Sequence, residues 1–169
     1  MRRLLFCIGL LLAGTVQADG EIRDLAWGEL VPAETVAAPE MAVQHEGGEE
    51  GPAAAQPLPD APVVRALDGA RVRLPGYIVP LETRRDGLVT EFLLVPYFGA
   101  CIHVPPPPAN QIVHVRTAAG VVQEALYQPY WVEGTLKVEQ SRSDIAVSGY
   151  TLQPERIFLY ELPASGAEE

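Results

Sequence analysis

The chain has 169 residues, 22 acidic against 12 basic side chains, 48% hydrophobic residues, 16 Pro, 15 Gly and 2 Cys. That length suits one ordinary domain, and a net charge of −10 with a single lysine, Lys137, argues against nucleic-acid binding, because neutralising phosphates takes clustered Lys and Arg. Two cysteines cannot build a disulfide framework.

The N-terminus reads as an export signal. Arg2 and Arg3 precede an apolar run over residues 4–13, and Val16-Gln17-Ala18 fits the small-x-small pattern of signal peptidase, with cleavage after Ala18. The run is too short to span a bilayer, which takes about 20 residues, so the mature chain is expected to carry no transmembrane span and to reside in the periplasm. Removing Arg2 and Arg3 leaves ten bases against 22 acids, a net −12, and a single cysteine, Cys101. An unpaired thiol in an oxidising compartment calls for burial, a metal or reactivity.

Residues 19–62 hold ten acids against one base, Arg23, together with six prolines. They have too little apolar surface to offset backbone ordering, about 1–2 kcal/mol per residue, and read as an acidic Pro/Ala/Gly-rich arm. Within it, Ile22, Leu25, Trp27, Leu30 and Val31 form an apolar segment over 22–32 that is expected to dock on the folded part. Residues 63–162 carry ten acids and nine bases and constitute the folded domain; 163–169 form a tail.

The domain alternates with the two-residue period of strands. Runs at 69–74 and 77–81 meet at Pro75-Gly76; Asp86-Gly87 then marks a hairpin into 88–95, and further runs occupy 111–116, 130–139, 145–151 and 157–162, separated in part by a turn at Gln153-Pro154-Glu155. Five or six strands need two packed sheets or a barrel, since one open sheet would leave an apolar face wet. The break at Pro75-Gly76 and the glycine at Gly134, which permits a bulge, favour a mainly β domain built as a small, partly open OB-like barrel, with a β-sandwich as the alternative.

The chemistry-bearing stretch begins after residue 95. Cys101 and His103, one residue apart, would project to one side of an extended chain; Pro105, Pro106, Pro107 and Pro108 form a stiff polyproline II rod beside them; Asn110 and Gln111 add amides to this binding loop, and His114 lies on a strand. Three readings stay open. Cys101, His103 and His114 suit zinc or copper, being thiolate and imidazole donors. In the second reading Cys101 is a nucleophile of a thiol hydrolase or redox enzyme, with a histidine as base and Asn110 orienting it. The third reading is structural, Cys101 serving as a small buried hydrophobe. Arg71, Arg73, Arg84 and Arg85 read as a solvated face, and Tyr97, Phe98, Tyr127, Tyr130 and Trp131 as packing residues that could also line a groove.

The runs Gly76-Tyr77-Ile78-Val79-Pro80-Leu81, residues 91–111 with Gly99-Ala100-Cys101-Ile102-His103-Val104-Pro105-Pro106-Pro107-Pro108, and Tyr130-Trp131-Val132-Glu133-Gly134 resemble the exported bacterial domain-of-unknown-function family DUF3299. The opening Leu25-Ala26-Trp27-Gly28-Glu29-Leu30-Val31-Pro32 is similar to that family's start, and the likeness spans most of 22–152. The resemblance implies a periplasmic accessory or binding protein working with an ABC-type transport system, with a permease or other envelope protein as partner and a link to zinc. It supplies no catalytic assignment. Unlike lipoprotein members, this chain has Cys7 inside the apolar run rather than after it. A non-catalytic interaction module is the remaining alternative.

Overall fold

The computed structural model describes residues 21–35, 56–101 and 104–161. The expected export signal at 1–18, the acidic stretch 36–55, the expected tail and His103 lie outside the described residues. Among the described residues no helix is long and apolar enough to cross a membrane.

The strands are β1 (Arg23–Asp24), β2 (Arg71–Thr83), β3 (Val89–Val95), β4 (Val113–Val121), β5 (Pro129–Lys137), β6 (Ser141–Arg142), β7 (Val147–Ser148) and β8 (Tyr150–Leu159). Their order is β1-β2-β3-β4-β8-β5, and β5 pairs back onto β2, so five strands close into a barrel to which β1 adds in parallel. The β4–β8 contact is parallel and the other barrel contacts are antiparallel. The expected OB-like barrel is therefore present, and its sheet closes into a complete ring.

Closure depends on β2, which carries two partners in succession. Arg71 to Tyr77 pair with β5, from Arg71↔Thr135 to Tyr77↔Pro129, and from Tyr77 onward the strand pairs with β3. The strand runs unbroken through Pro75-Gly76, in place of the expected interruption. Gly76 sits at the handover, where a Cβ would come within 2.8 Å of the Val95 carbonyl, so the absence of a side chain lets the strands approach.

A second expected break is also continuous. Gln153-Pro154-Glu155 belongs to β8: Gly134 pairs with Pro154 and Glu133 with Arg156, leaving Glu155 as the extra residue of a bulge. Proline is tolerated there because the ladder is already disrupted, and a turn is not required. The run 145–151 is divided instead, into β7 and the start of β8.

The barrel interior is filled by the inward residues of each strand, among them Val72, Leu74, Ile78, Phe92, Leu94, Val113, Val115, Val132, Leu136 and Tyr150. The segment 22–32 packs on this core. Leu25 and Leu30 are buried within it, and Trp27 lies against it with its indole N–H donating to the Pro75 carbonyl at 2.6 Å. The Tyr150 hydroxyl donates to the Leu30 carbonyl at 2.7 Å and accepts from the Val64 amide at 2.7 Å, which fastens the arm to a core tyrosine.

Candidate functional site

On β2 and β3 some residues facing away from the barrel interior are covered as well. Leu93 and Val95, with Val79, Ala100, Ile112 and Ala146, form a second apolar cluster, against which Tyr77, Leu81 and Cys101 pack. Covering comes from the loop after β3 and from the β6–β7 pair. Cys101 thus belongs to this outer face and not to the barrel interior.

Cys101 departs from the extended geometry expected of it. Its φ is +65, a left-handed backbone, in a turn where the Val104 amide donates to the Gly99 carbonyl. The strand rule that puts alternate side chains on one side therefore does not operate at this residue. Burial pushes its thiol up to about 11, since a thiolate is costly among apolar neighbours.

The proline segment is a packed scaffold: Pro106 and Pro107 are buried, and the Pro107 carbonyl accepts from the Gln56 side chain at 2.9 Å. Asn110 and Gln111 face the arm rather than solvent. Asn110 Nδ2 donates to the Pro62 carbonyl at 2.8 Å and Gln111 Nε2 to the Trp27 carbonyl at 2.9 Å. Both amides clasp the arm.

His114 forms a separate polar centre. It lies opposite Leu93 in the β3–β4 ladder and is 4% exposed. One ring nitrogen, Nε2, is 2.8 Å from Glu91 Oε1 on the neighbouring strand, and the other, Nδ1, is 2.7 Å from Ser141 Oγ on β6. Arg116 Nη2 donates to the same Glu91 oxygen at 3.1 Å. The hydrogen bond from Arg116 holds the Glu91 carboxyl below its ordinary range, against the opposing effect of burial, and the bond with His114 adds to the lowering. A cavity of about 270 Å³ opens beside His114 and Ser141, its other lining being Leu152 and the polar or charged Arg116, Glu139, Gln140, Thr151 and Gln153.

Of the residues expected to bind metal, Cys101 and His114 lie in different surroundings, and His103 is outside the described residues. Among the described residues no group of three or more His, Cys, Asp or Glu is placed to hold an ion. His114 has both ring nitrogens engaged, and Cys101 has apolar company. Sequence reasoning missed Glu91 and Ser141 because each lies on a different strand from His114, 23 and 27 residues away, and neither belongs to a local motif. The alternation that places Leu93 and His114 on one face was the available signal for Glu91.

Strand order and closure define this molecule as a small closed β-barrel of the OB type. The chain belongs to the DUF3299 family of proteins of unknown function, whose model matches residues 27–158. It is similar to the crystal structure of a DUF3299 family protein from Pseudomonas aeruginosa PAO1, with 55% identity over 85% of this chain and 99% of that one and a TM-score of 0.73. No curated protein matches it.

Proposed function

We propose that the protein is an exported accessory binding module of the periplasm that works beside an ABC-type permease and meets its partner through the aromatic end of the barrel. The observation that carries this reading is the apolar display of the loop after β3. Tyr97, Phe98 and Val104 are 45%, 48% and 39% exposed, on a segment whose neighbouring prolines are packed and stiff. The Phe98 ring lies 6.1 Å from that of Tyr77, which continues the surface into a cleft lined by Trp27, Pro75, Pro96, Pro129 and Tyr160. Aromatic side chains on a rigid frame lose little conformational entropy on docking, which suits them to protein contacts.

The zinc link rests on Cys101 and His103, the two donors of the same loop. With His114 already bonded on both nitrogens, any further ligands would come from the partner or from outside the described residues. Zinc would have to displace a thiol proton held at about 11, so its uptake would strengthen as pH rises.

The test is site-specific photo-crosslinking in the native host with the photoreactive residue at position 98. An adduct with an integral membrane permease, lost in a Tyr97→Asp/Phe98→Asp variant that keeps the parent's melting midpoint, is the expected result. Adducts confined to other classes of protein, or unaffected by the double variant, would remove the permease. Elemental analysis of protein purified without chelators addresses zinc separately: equal metal content in the parent and Cys101→Ser removes that link.

A further inference from the structure

We propose that Ser141, His114 and Glu91 form a hydrolytic centre for small carboxylic esters. The inference is independent of the docking surface above and starts from the direction of two hydrogen bonds.

An ionised carboxylate can only accept, and Glu91 is held ionised by Arg116, so the proton of a neutral His114 ring sits on Nε2, which donates to Glu91 at 2.8 Å. The lone pair is then on Nδ1. Ser141 Oγ, 2.7 Å away, must be the donor in the second bond, with its O–H aimed at a base whose tautomer the carboxylate selects. The linkage of hydroxyl, imidazole and carboxylate is that of a serine hydrolase with the two ring nitrogens exchanged, and either nitrogen can act as the base.

Two further features fit a reacting group better than a structural one. Ser141 and His114 both line the 270 Å³ cavity, a space large enough for a short acyl group. Arg116 lines it too; a guanidinium carries five N–H groups, and the bond to Glu91 uses one of them, which leaves donors for a carbonyl oxygen that gains charge.

In the reaction, Ser141 Oγ bonds to the ester carbonyl carbon as its proton passes to His114 Nδ1. The C–O bond to the alcohol then breaks, and the departing alkoxide takes that proton. Water enters, gives a proton to Nδ1 and attacks the acyl-serine. Collapse releases the carboxylic acid and returns the proton to Ser141.

The test uses the mature chain carrying Cys101→Ser, so that the thiol cannot be acylated. It is treated with alkyl fluorophosphonates of increasing chain length and mapped by peptide mass spectrometry, while hydrolysis of 4-nitrophenyl acetate is followed in parallel. The expected result is one adduct, on Ser141, formed with the shortest probes, and a fall in hydrolysis of about 100-fold or more in Ser141→Ala and about 10-fold in Glu91→Gln. Absence of an adduct on Ser141 in the otherwise unaltered protein overturns the proposal, whatever the folding state of the variants. So does an adduct accompanied by hydrolysis that Ser141→Ala leaves unchanged.

Discussion

Glu91 and Cys101 illustrate opposite effects of the same face on an ionisable group. Glu91 gains two polar partners there, Arg116 and His114, and its carboxyl titrates below the ordinary value of 4.5. A carboxyl depressed in the folded state stabilises the fold above its unfolded value, and that contribution is lost as pH falls through the folded one. Glu91→Gln is expected to lower stability by about 1–3 kcal/mol near neutrality, with the gap to the parent narrowing below pH 4.5. Urea denaturation of both proteins at a series of pH values measures it. Among the described residues Cys101 gains no such partners, and its thiol is raised from 9.0 to about 11. Iodoacetamide is therefore expected to label it about 100-fold more slowly at pH 8 in the folded protein than in urea, with the folded rate climbing roughly tenfold per pH unit. Timed quench and mass spectrometry read both rates.

At the scale of the element, β5 and β8 make the longest pairing of the barrel, and they do so around Gly134. A Cβ at that position would fall within the carbonyl of Gln153, and backbone cannot step aside as a flexible side chain can. Gly134→Ala is expected to cost on the order of 2–3 kcal/mol, seen as a large drop in melting midpoint by circular dichroism. Gly69→Ala is the contrasting case. Gly69 has a φ of +78 and open space around it, so the cost there is that of the left-handed backbone, roughly 1 kcal/mol. An irregularity beside Gly134 was legible in the chain because glycine inside an alternating run has few other uses, but the extra residue lies on the partner strand, at Glu155. The path of β8 through Pro154 was not, since proline signals a turn unless a neighbouring strand has already given up the hydrogen bond that proline lacks.

The whole molecule is held by contacts remote in sequence. β2 meets β5 across the intervening β3 and β4, and the arm reaches Pro75 through Trp27, Gln111 through the Trp27 carbonyl and Tyr150 through the Leu30 carbonyl. Such closure loses loop entropy before its contacts form, so refolding is expected in milliseconds to seconds. The two tryptophans report different parts of it, Trp27 the arm and Trp131 strand β5. Stopped-flow fluorescence of Trp27→Phe and Trp131→Phe should give the same rate if arm and barrel form one cooperative unit, and separate rates would show that the arm docks later.

Alternation and turn residues were enough to determine a mainly β domain, because those signals are local and each residue carries its own. The family, too, was readable as a resemblance spread over several runs of the chain. Only the tertiary structure decided that the barrel closes through β2, that Asn110 and Gln111 clasp the arm, and that His114 lies between Glu91 and Ser141. Those facts depend on register between strands distant in sequence, where a shift of one residue would send His114 to the opposite face, and no short stretch of chain encodes such a relation.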